Sequence, residues 1–154
     1  MNKFQFWQRW LFGCSLIITG FGLCMALLNQ SPLFEIFNQQ VEAVFWLAGP
    51  GTAGTQAFQS WIYGVLGATM AGWGVFFAFI AYYPFKAKES WSWPCLITGV
   101  SLWYLVDTTI SLYHDFVFNA IFNTIFLVAL LLPVIITLKE IRRHTPVPLM
   151  KGGR

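Results

Sequence analysis

Charged side chains are scarce in this sequence, and their scarcity decides the class of protein. Only 10% of the 154 residues are charged, against about a quarter in an ordinary soluble domain. Hydrophobic residues make up 57%, and the mean hydropathy is +0.63. The net charge of +3 is too small, and too interrupted by apolar segments, for a nucleic-acid-binding surface. We therefore expect a membrane protein, and the long continuous apolar runs favour helices over the alternating strands of a barrel.

Cysteine and histidine are also rare, which argues against several kinds of redox and metal site. The three cysteines, Cys14, Cys24 and Cys95, include no Cys-x-x-Cys pair, so the dithiol of a thiol-quinone oxidoreductase is missing. The two histidines, His114 and His144, are predicted on opposite sides of the membrane and cannot share a haem or a metal ion. No nucleotide-binding loop or nucleophile elbow is present. The sequence identifies no cofactor, and a non-enzymatic role is favoured over an enzymatic one.

Four apolar segments are long enough to cross a membrane, which takes about 20 residues per helix. We place these spans at residues 7–28, 58–83, 93–113 and 116–138. The predicted fold class is all-α, a polytopic four-transmembrane-helix bundle formed by residues 1–144 and followed by a basic cytoplasmic tail at 145–154. The first span could instead be a signal peptide with Lys3 and Arg9 as its basic start, but its apolar stretch is long for a signal.

Lysine and arginine fall on one side of the predicted membrane. Basic residues near the ends of spans stay on the cytoplasmic side. Every Lys and Arg of this chain lies before or at the very start of the first span, between the second and the third, or after the fourth. Both termini are therefore expected in the cytoplasm, with the connection at 29–56 and the turn at 114–115 on the outer side.

The segment at 33–48, in the first outer connection, is amphipathic. Apolar residues recur at helical spacing opposite Glu35 and Glu42, and Pro32 suits the first turn of a helix. Such a helix would lie along the membrane surface. It could act as a lid over the outer mouth of the bundle, but a helix that only bridges two spans is the favoured interpretation. The glycines of residues 49–54 would end it with a flexible link.

One carboxylate, Asp107, lies well inside a predicted span. The short turn at 114–115 makes the third and fourth spans antiparallel neighbours, so residues equidistant from the turn share a depth. Ser111 is then level with Asn119, and Asp107 is level with Asn123. A charged Asp near mid-membrane costs on the order of 3 kcal/mol, and much less when it is hydrogen-bonded or protonated. We therefore expect a polar seam between two helices, turned away from lipid.

Two interpretations of this seam stay open. Its polar groups could bond the two helices together, at about 1 kcal/mol per hydrogen bond, or they could anchor a small molecule or carry protons. On the second interpretation, the polar ligand-binding side chains are Asp107, Asn123, Ser111, Asn119 and His114. Aromatic residues that could line an apolar pocket beside them, or merely fill space, are Trp73, Trp103 and Tyr104.

The second span carries small residues at a spacing of four, in the rows Gly64-Ala68-Gly72 and Gly67-Ala71. Small residues let a neighbouring backbone approach closely. Close packing inside the bundle is the favoured use of this Gly/Ala face, and a homo-oligomer contact is the alternative.

Three stretches, "GVLGATMAGWGVFF", "WYLVDTTISL" and "NAIFNTIFLVALLLP", resemble the pattern of small uncharacterised four-helix proteins of the bacterial inner membrane. The resemblance covers most of the chain and implies that location, but it implies no catalytic residue.

The favoured function is to bind an apolar or amphipathic small molecule, of lipid or quinone type, in an outward-facing intramembrane cavity. Asp107 and Asn123 would form the polar floor of that cavity. One alternative is a proton-coupled transporter or channel component. Another is a membrane enzyme that uses outer-face acid and base groups such as His114 and Asp115. Membrane lipids are expected partners in every case.

Overall fold

The computed structural model describes residues 2–46 and 52–144, with every side chain in those ranges except the last two. The described chain is all-α. Its helices are α1 (Lys3–Leu28), α2 (Glu35–Phe45), α3 (Ala53–Ile80), α4 (Ser92–Tyr113) and α5 (Val117–His144). A 3-10 turn, Pro32–Phe34, leads into α2, and a π-helical turn, Ala81–Phe85, extends α3. The predicted tail at 145–154 and residues 49–51 of the predicted glycine link lie outside the described residues. The last two residues of that link, Ala53 and Gly54, belong to α3 instead, because the side chain of Thr52 caps this helix.

Four of these helices are long and apolar enough to span a membrane, namely α1, α3 with its π-helical turn, α4 and α5. The predicted four-span fold is confirmed. The predicted short helix in the first connection is confirmed as well, although it ends at Phe45 rather than at residue 48. Its position along the membrane surface stays a prediction.

Helix ends differ from the predicted ones where polar residues continue a helix beyond the apolar run. α1 begins at Lys3 rather than residue 7, because the side chain of Asn2 accepts a hydrogen bond from the backbone nitrogen of Gln5 at 2.8 Å. The side chain of Gln5 accepts one from the backbone nitrogen of Asn2 in return, which completes a capping box. α5 continues past residue 138, where the fully buried Ile141 keeps its inner face packed.

α1 lies centrally, packing against α3 most extensively and also against α5. Small residues bring α1 and α3 together. A Cβ atom on Gly67 would lie 2.5 Å from both the backbone nitrogen of Ala26 and the carbonyl oxygen of Gly22. A Cβ atom on Gly22 would lie equally close to the backbone nitrogen of Ala71. The predicted bundle packing is thus confirmed for the Gly67-Ala71 row. In the other row, Gly72 is exposed, and a Cβ atom there would meet nothing within 4 Å.

Pro133 lies inside α5, where it cannot donate to the carbonyl oxygen of Ala129. The indole nitrogen Nε1 of Trp10, on α1, donates to that oxygen at 3.1 Å. A backbone acceptor freed by proline within a membrane span therefore has a partner on a neighbouring helix, as the absence of water in hydrocarbon requires.

Pro84 falls in the π-helical turn that ends α3. The i→i+5 bonding of a π-helix lets the N–H of the following residue, Phe85, take the place of the missing proline donor. Gln8 of α1 adds a bond from its Nε2 to the carbonyl oxygen of Ala81 at 3.0 Å. α1 thus supplies a polar side chain beside each of the two prolines.

Basic side chains gather at one end of the bundle. Lys88, between α3 and α4, lies 3.7 Å from Glu140 of α5, and its Nζ lies 4.7 Å from the ring centre of Phe4 of α1. Arg142 lies 4.8 Å above the ring of Trp93 at the start of α4. The described basic ends of the four spans therefore meet on one side, as predicted. Which face of the membrane they occupy stays a prediction.

Candidate functional site

The candidate site lies between α4 and α5, near the tight turn that joins them. Asp115 occupies the left-handed backbone region, with φ of 59°, and the backbone nitrogen of Phe116 donates to the carbonyl oxygen of Ser111 at 2.8 Å. This turn fixes the register of the two helices. Residues equidistant from it face each other, as the sequence predicts.

Asp107 is the centre of the hydrogen bonds between these helices. Its Oδ1 accepts from Nδ2 of Asn119 and from Nδ2 of Asn123, each at 2.8 Å. The hydroxyl of Ser111 lies 3.2 Å from the same oxygen and 2.8 Å from the Asp107 carbonyl oxygen, and it also accepts from Asn119 at 2.8 Å. Asn123 lies 3.4 Å from the hydroxyl of Thr108 and is 3% exposed. The predicted polar seam is confirmed as an interhelical network. We call these five residues the Asp107 cluster.

The second carboxylate oxygen of Asp107, Oδ2, has a different environment. Within residues 2–46 and 52–144 no group donates a hydrogen bond to it. Yet no buried side-chain oxygen or nitrogen of the described chain lacks a partner. Oδ2 is therefore not fully enclosed, in keeping with the half-buried state of the Asp107 side chain. The cluster holds one oxygen tightly and leaves the other open as an acceptor.

A second polar contact joins α4 and α5 one turn further in. The hydroxyl groups of Tyr104 and Thr124 lie 3.2 Å apart. Thr124 donates its own proton to the carbonyl oxygen of Ala120 at 2.8 Å, so Tyr104 is the donor of this pair. Tyr104 thus sits on the same helix interface as the Asp107 cluster.

The predicted pair of tryptophans meets between α3 and α4. The rings of Trp73 and Trp103 are 6.0 Å apart and inclined at 74°, an edge-to-face geometry that stabilises aromatic pairs. Trp103 precedes Asp107 by one helical turn and so lies on the same side of α4. Whether the pair lines a ligand pocket stays a prediction.

His114 departs from the predicted seam. Its exposed ring contacts Phe45 of α2 and its neighbour Tyr113, with ring centres 6.0 Å and 5.1 Å apart. In the described part of the chain no hydrogen bond joins it to the Asp107 cluster. The reason is local, since α4 ends at Tyr113 and the turn carries His114 off the helical stripe.

α2 lies over the end of the α4–α5 hairpin where the two helices are joined. Phe37 contacts Phe116 and Phe118, at ring distances of 6.0 Å and 5.6 Å. Phe45 contacts Phe116 at 5.8 Å. α2 therefore contacts the hairpin as well as connecting two spans. Whether it acts as a lid or only bridges the spans stays a prediction.

A second group of polar side chains, missed by the sequence analysis, ties α2 to α1 and α3. Asn38 donates to the carbonyl oxygen of Asn29 at 3.2 Å and accepts from Gln59 at the same distance. The hydroxyl of Ser60 donates to Oδ1 of Asn29 at 2.9 Å, and Trp46 donates to Gln59 at 3.2 Å. We call these five residues the latch. The only signal in the sequence was their polarity at the ends of spans.

The two clearest depressions of the described surface both lie beside α2, and Asp107 lines neither. One is polar and runs past Glu35, Asn38 and Glu42, and the other is apolar and lies between α2 and the spans α1 and α5. The predicted outward-facing cavity above Asp107 is therefore not one of them. The Asp107 cluster lies at a helix interface, and a cavity above it stays a prediction.

The fold and the cluster define a multi-pass helical membrane protein that keeps one hydrogen-bonded carboxylate inside its spans. Among the described residues no group of His, Cys, Asp or Glu is placed to hold a metal ion, and the cysteines are unpaired. No family model, no curated protein and no solved structure matches the chain.

Proposed function

We propose that the chain binds an amphipathic small molecule of lipid or quinol type through Asp107, and that it resides in a bacterial inner membrane with its basic end in the cytoplasm. The open Oδ2 oxygen of Asp107 is the observation that carries the proposal. A carboxylate whose other oxygen accepts hydrogen bonds from the amides of Asn119 and Asn123, with the Ser111 hydroxyl 3.2 Å away, is fixed in orientation, so Oδ2 is a preorganised acceptor.

The chemistry of Oδ2 restricts the ligand class. Oδ2 is an acceptor whenever the carboxyl group is ionised, and the ligand head that we propose carries a hydroxyl, ammonium or amide donor. A quinol has such donors and the corresponding quinone does not. Of the two ligand types that the sequence suggested, we therefore propose a quinol in place of a quinone, and a lipid whose head group carries hydrogen-bond donors.

The surroundings of Asp107 support an approach from within the bilayer. Phe37, Phe45 and Phe116 cover the outer end of the hairpin, whereas the side chain of Asp107 stays half-buried between α4 and α5. Trp103 and Tyr104, one turn further in, would contact the apolar part of the ligand. We therefore favour lateral entry over the outward opening that the sequence suggested.

Matched probes test this proposal: a short-chain benzoquinol, which carries two hydroxyl donors, and its quinone, which has the same carbon skeleton but two carbonyl groups and no donor. The expected result is that the wild-type protein in detergent micelles binds the quinol more tightly, as measured by equilibrium dialysis and by the thermal shift that binding produces. In Asp107→Asn the amides of Asn119 and Asn123 can still donate to Oδ1, and Nδ2 takes the place of Oδ2. The preference should then narrow or reverse, because the site now presents a donor.

Asp115→Asn is the matched control. It removes the same charge from an exposed position of the same hairpin, and asparagine tolerates the left-handed backbone there. Equal affinity for quinol and quinone in the wild-type protein would show that the cluster only bonds α4 to α5. If Asp107→Asn kept the same preference for quinol over quinone, the binding site would have to lie away from Asp107.

A proton-coupled role is the second candidate, because Asp107 is the only carboxyl group in a described span away from the charged end. In proteoliposomes this role requires a proton flux that Asp107→Asn abolishes and Asp115→Asn leaves intact. A flux that both variants retain would remove it.

A further inference from the structure

The apolar depression beside α2 lies on a different side of α5 from the Asp107 cluster. Its walls come from α1, the 3-10 turn, α2 and α5, and include Phe21, Cys24, Leu33, Ile36, Phe118 and Phe122. Phe118 and Phe122 are each one position from an asparagine of the cluster, which turns them about 100° around α5. We call this depression the phenylalanine groove. It is independent of the function proposed for Asp107.

Two side chains at the edge of the groove are far more exposed than an aqueous surface would favour. Leu33 is 68% exposed and Ile36 is 69% exposed, although both belong to the segment that lies across the outer end of the bundle. Exposure of such side chains to water is unfavourable. Because the groove lies between two helices long and apolar enough to span a membrane, a lipid chain is the apolar partner available to these side chains.

The aromatic rings of the groove form a continuous wall that leads into the membrane. Phe34 contacts Phe21 at 5.7 Å, Phe21 contacts Phe122 at 5.3 Å, and Phe122 contacts Phe126 at 4.8 Å. From Phe118 to Phe126 the wall runs along α5 for about 12 Å, at 1.5 Å per residue. It begins under the surface helix and descends along the span, which is the path of a lipid chain hanging from the interface.

We propose that the phenylalanine groove holds one acyl chain of a phospholipid as a resident ligand, distinct from the lipid that exchanges freely around the bundle. The groove has a volume of about 240 Å³, below the roughly 300–1,000 Å³ of sites for drug-sized molecules, so it suits part of a single chain rather than a ring system. Because lipid tails are as apolar as the groove, no hydrophobic driving force holds the chain. Its retention rests on dispersion contacts with the closely spaced rings, and a several-fold preference over exposed surface is expected.

A photoreactive lipid tests the proposal in the intact protein. The probe is a phosphatidylcholine with a diazirine in the upper half of one acyl chain, incorporated into phosphatidylcholine nanodiscs and activated by light, with adducts located by peptide mass spectrometry. Peptides that contain Leu33, Ile36 or Phe122 should carry several-fold more adduct than the peptide that contains Leu105 and Ile110. Those two residues lie on the exposed face of α4, also towards its outer end, and are 62% and 55% exposed.

Two substitutions should fill the groove and lower its adducts to the level of α4. Cys24→Phe adds a ring to the wall, and Cys95→Phe is its control, the same change at an exposed position near the start of α4. Ile36→Trp adds bulk at an exposed edge, so it keeps the test available if Cys24→Phe does not fold. Adducts spread evenly over all exposed faces in the wild-type protein would overturn the proposal. A cross-linked dimer through α2 would do so as well, because it would show that a second copy covers the groove.

Discussion

The contact between α1 and α3 makes the sharpest prediction, because one substitution at two glycines of the same helix should have opposite effects. Gly67→Ala places a methyl group 2.5 Å from the backbone of α1 on two sides. Neither blocking atom belongs to a flexible side chain, so relief requires the helices to move apart. Gly72→Ala introduces the same methyl group where nothing lies within 4 Å.

The magnitudes follow from these distances. Alanine gains up to about 1 kcal/mol over glycine in a helix, and this gain applies to both variants. Overpacking costs about 1–3 kcal/mol, and Gly67→Ala should fall at the upper end of that range because both obstacles are backbone. The expected outcome is a loss of about 2 kcal/mol for Gly67→Ala and no loss for Gly72→Ala.

Reversible unfolding in mixed detergent micelles, with SDS as denaturant and tryptophan fluorescence as signal, gives the two free energies on one scale. Equal stability of the two variants would refute the close packing of α1 on α3. If Gly72→Ala were the destabilised variant and also lost an oligomer, the exposed small residues of α3 would be an interface between copies.

Two further predictions concern side-chain hydrogen bonds that join α1 to α5 and α2 to its neighbours. Trp10→Phe should destabilise the bundle by about 1 kcal/mol. The loss should be smaller in a Pro133→Ala background, because the backbone nitrogen of residue 133 then donates to the Ala129 carbonyl oxygen. A double-mutant cycle that shows no coupling between the two substitutions would contradict this prediction. Asn38→Leu should speed hydrogen–deuterium exchange of the α2 amides because it breaks the latch. Gln39→Leu should not, because Gln39 is exposed and bonds only within α2. Equal exchange in both variants would show that the ring contacts of Phe37 and Phe45 alone hold α2 in place.

The Asp107 cluster could be predicted because a short turn converts positions in the sequence into depths in the membrane. Once α4 and α5 are neighbours, the pairing of Asp107 with Asn123 needs no further information. The latch could not be predicted in this way. Ser60 and Asn29 are 31 positions apart, and the chain between them contains α2, whose placement no local pattern fixes.

Hydropathy located the spans but not the ends of the helices. The apolar run of α5 stops near residue 138, where the membrane is expected to end, whereas the backbone stays helical to His144. Lys88 and Glu140 pair at that end, so the charged turns of α5 have contacts of their own. The π-helical turn at Pro84 gave no signal beyond the proline, since its register depends on how α1 packs beside it.

The two polar side chains that α1 places beside Pro84 and Pro133 have a consequence for biogenesis. Synthesis proceeds from the amino end, so Gln8 and Trp10 reach the lipid phase before the carbonyl groups that they will serve. We therefore expect both donors to be present in the chain before either proline-containing segment packs against α1.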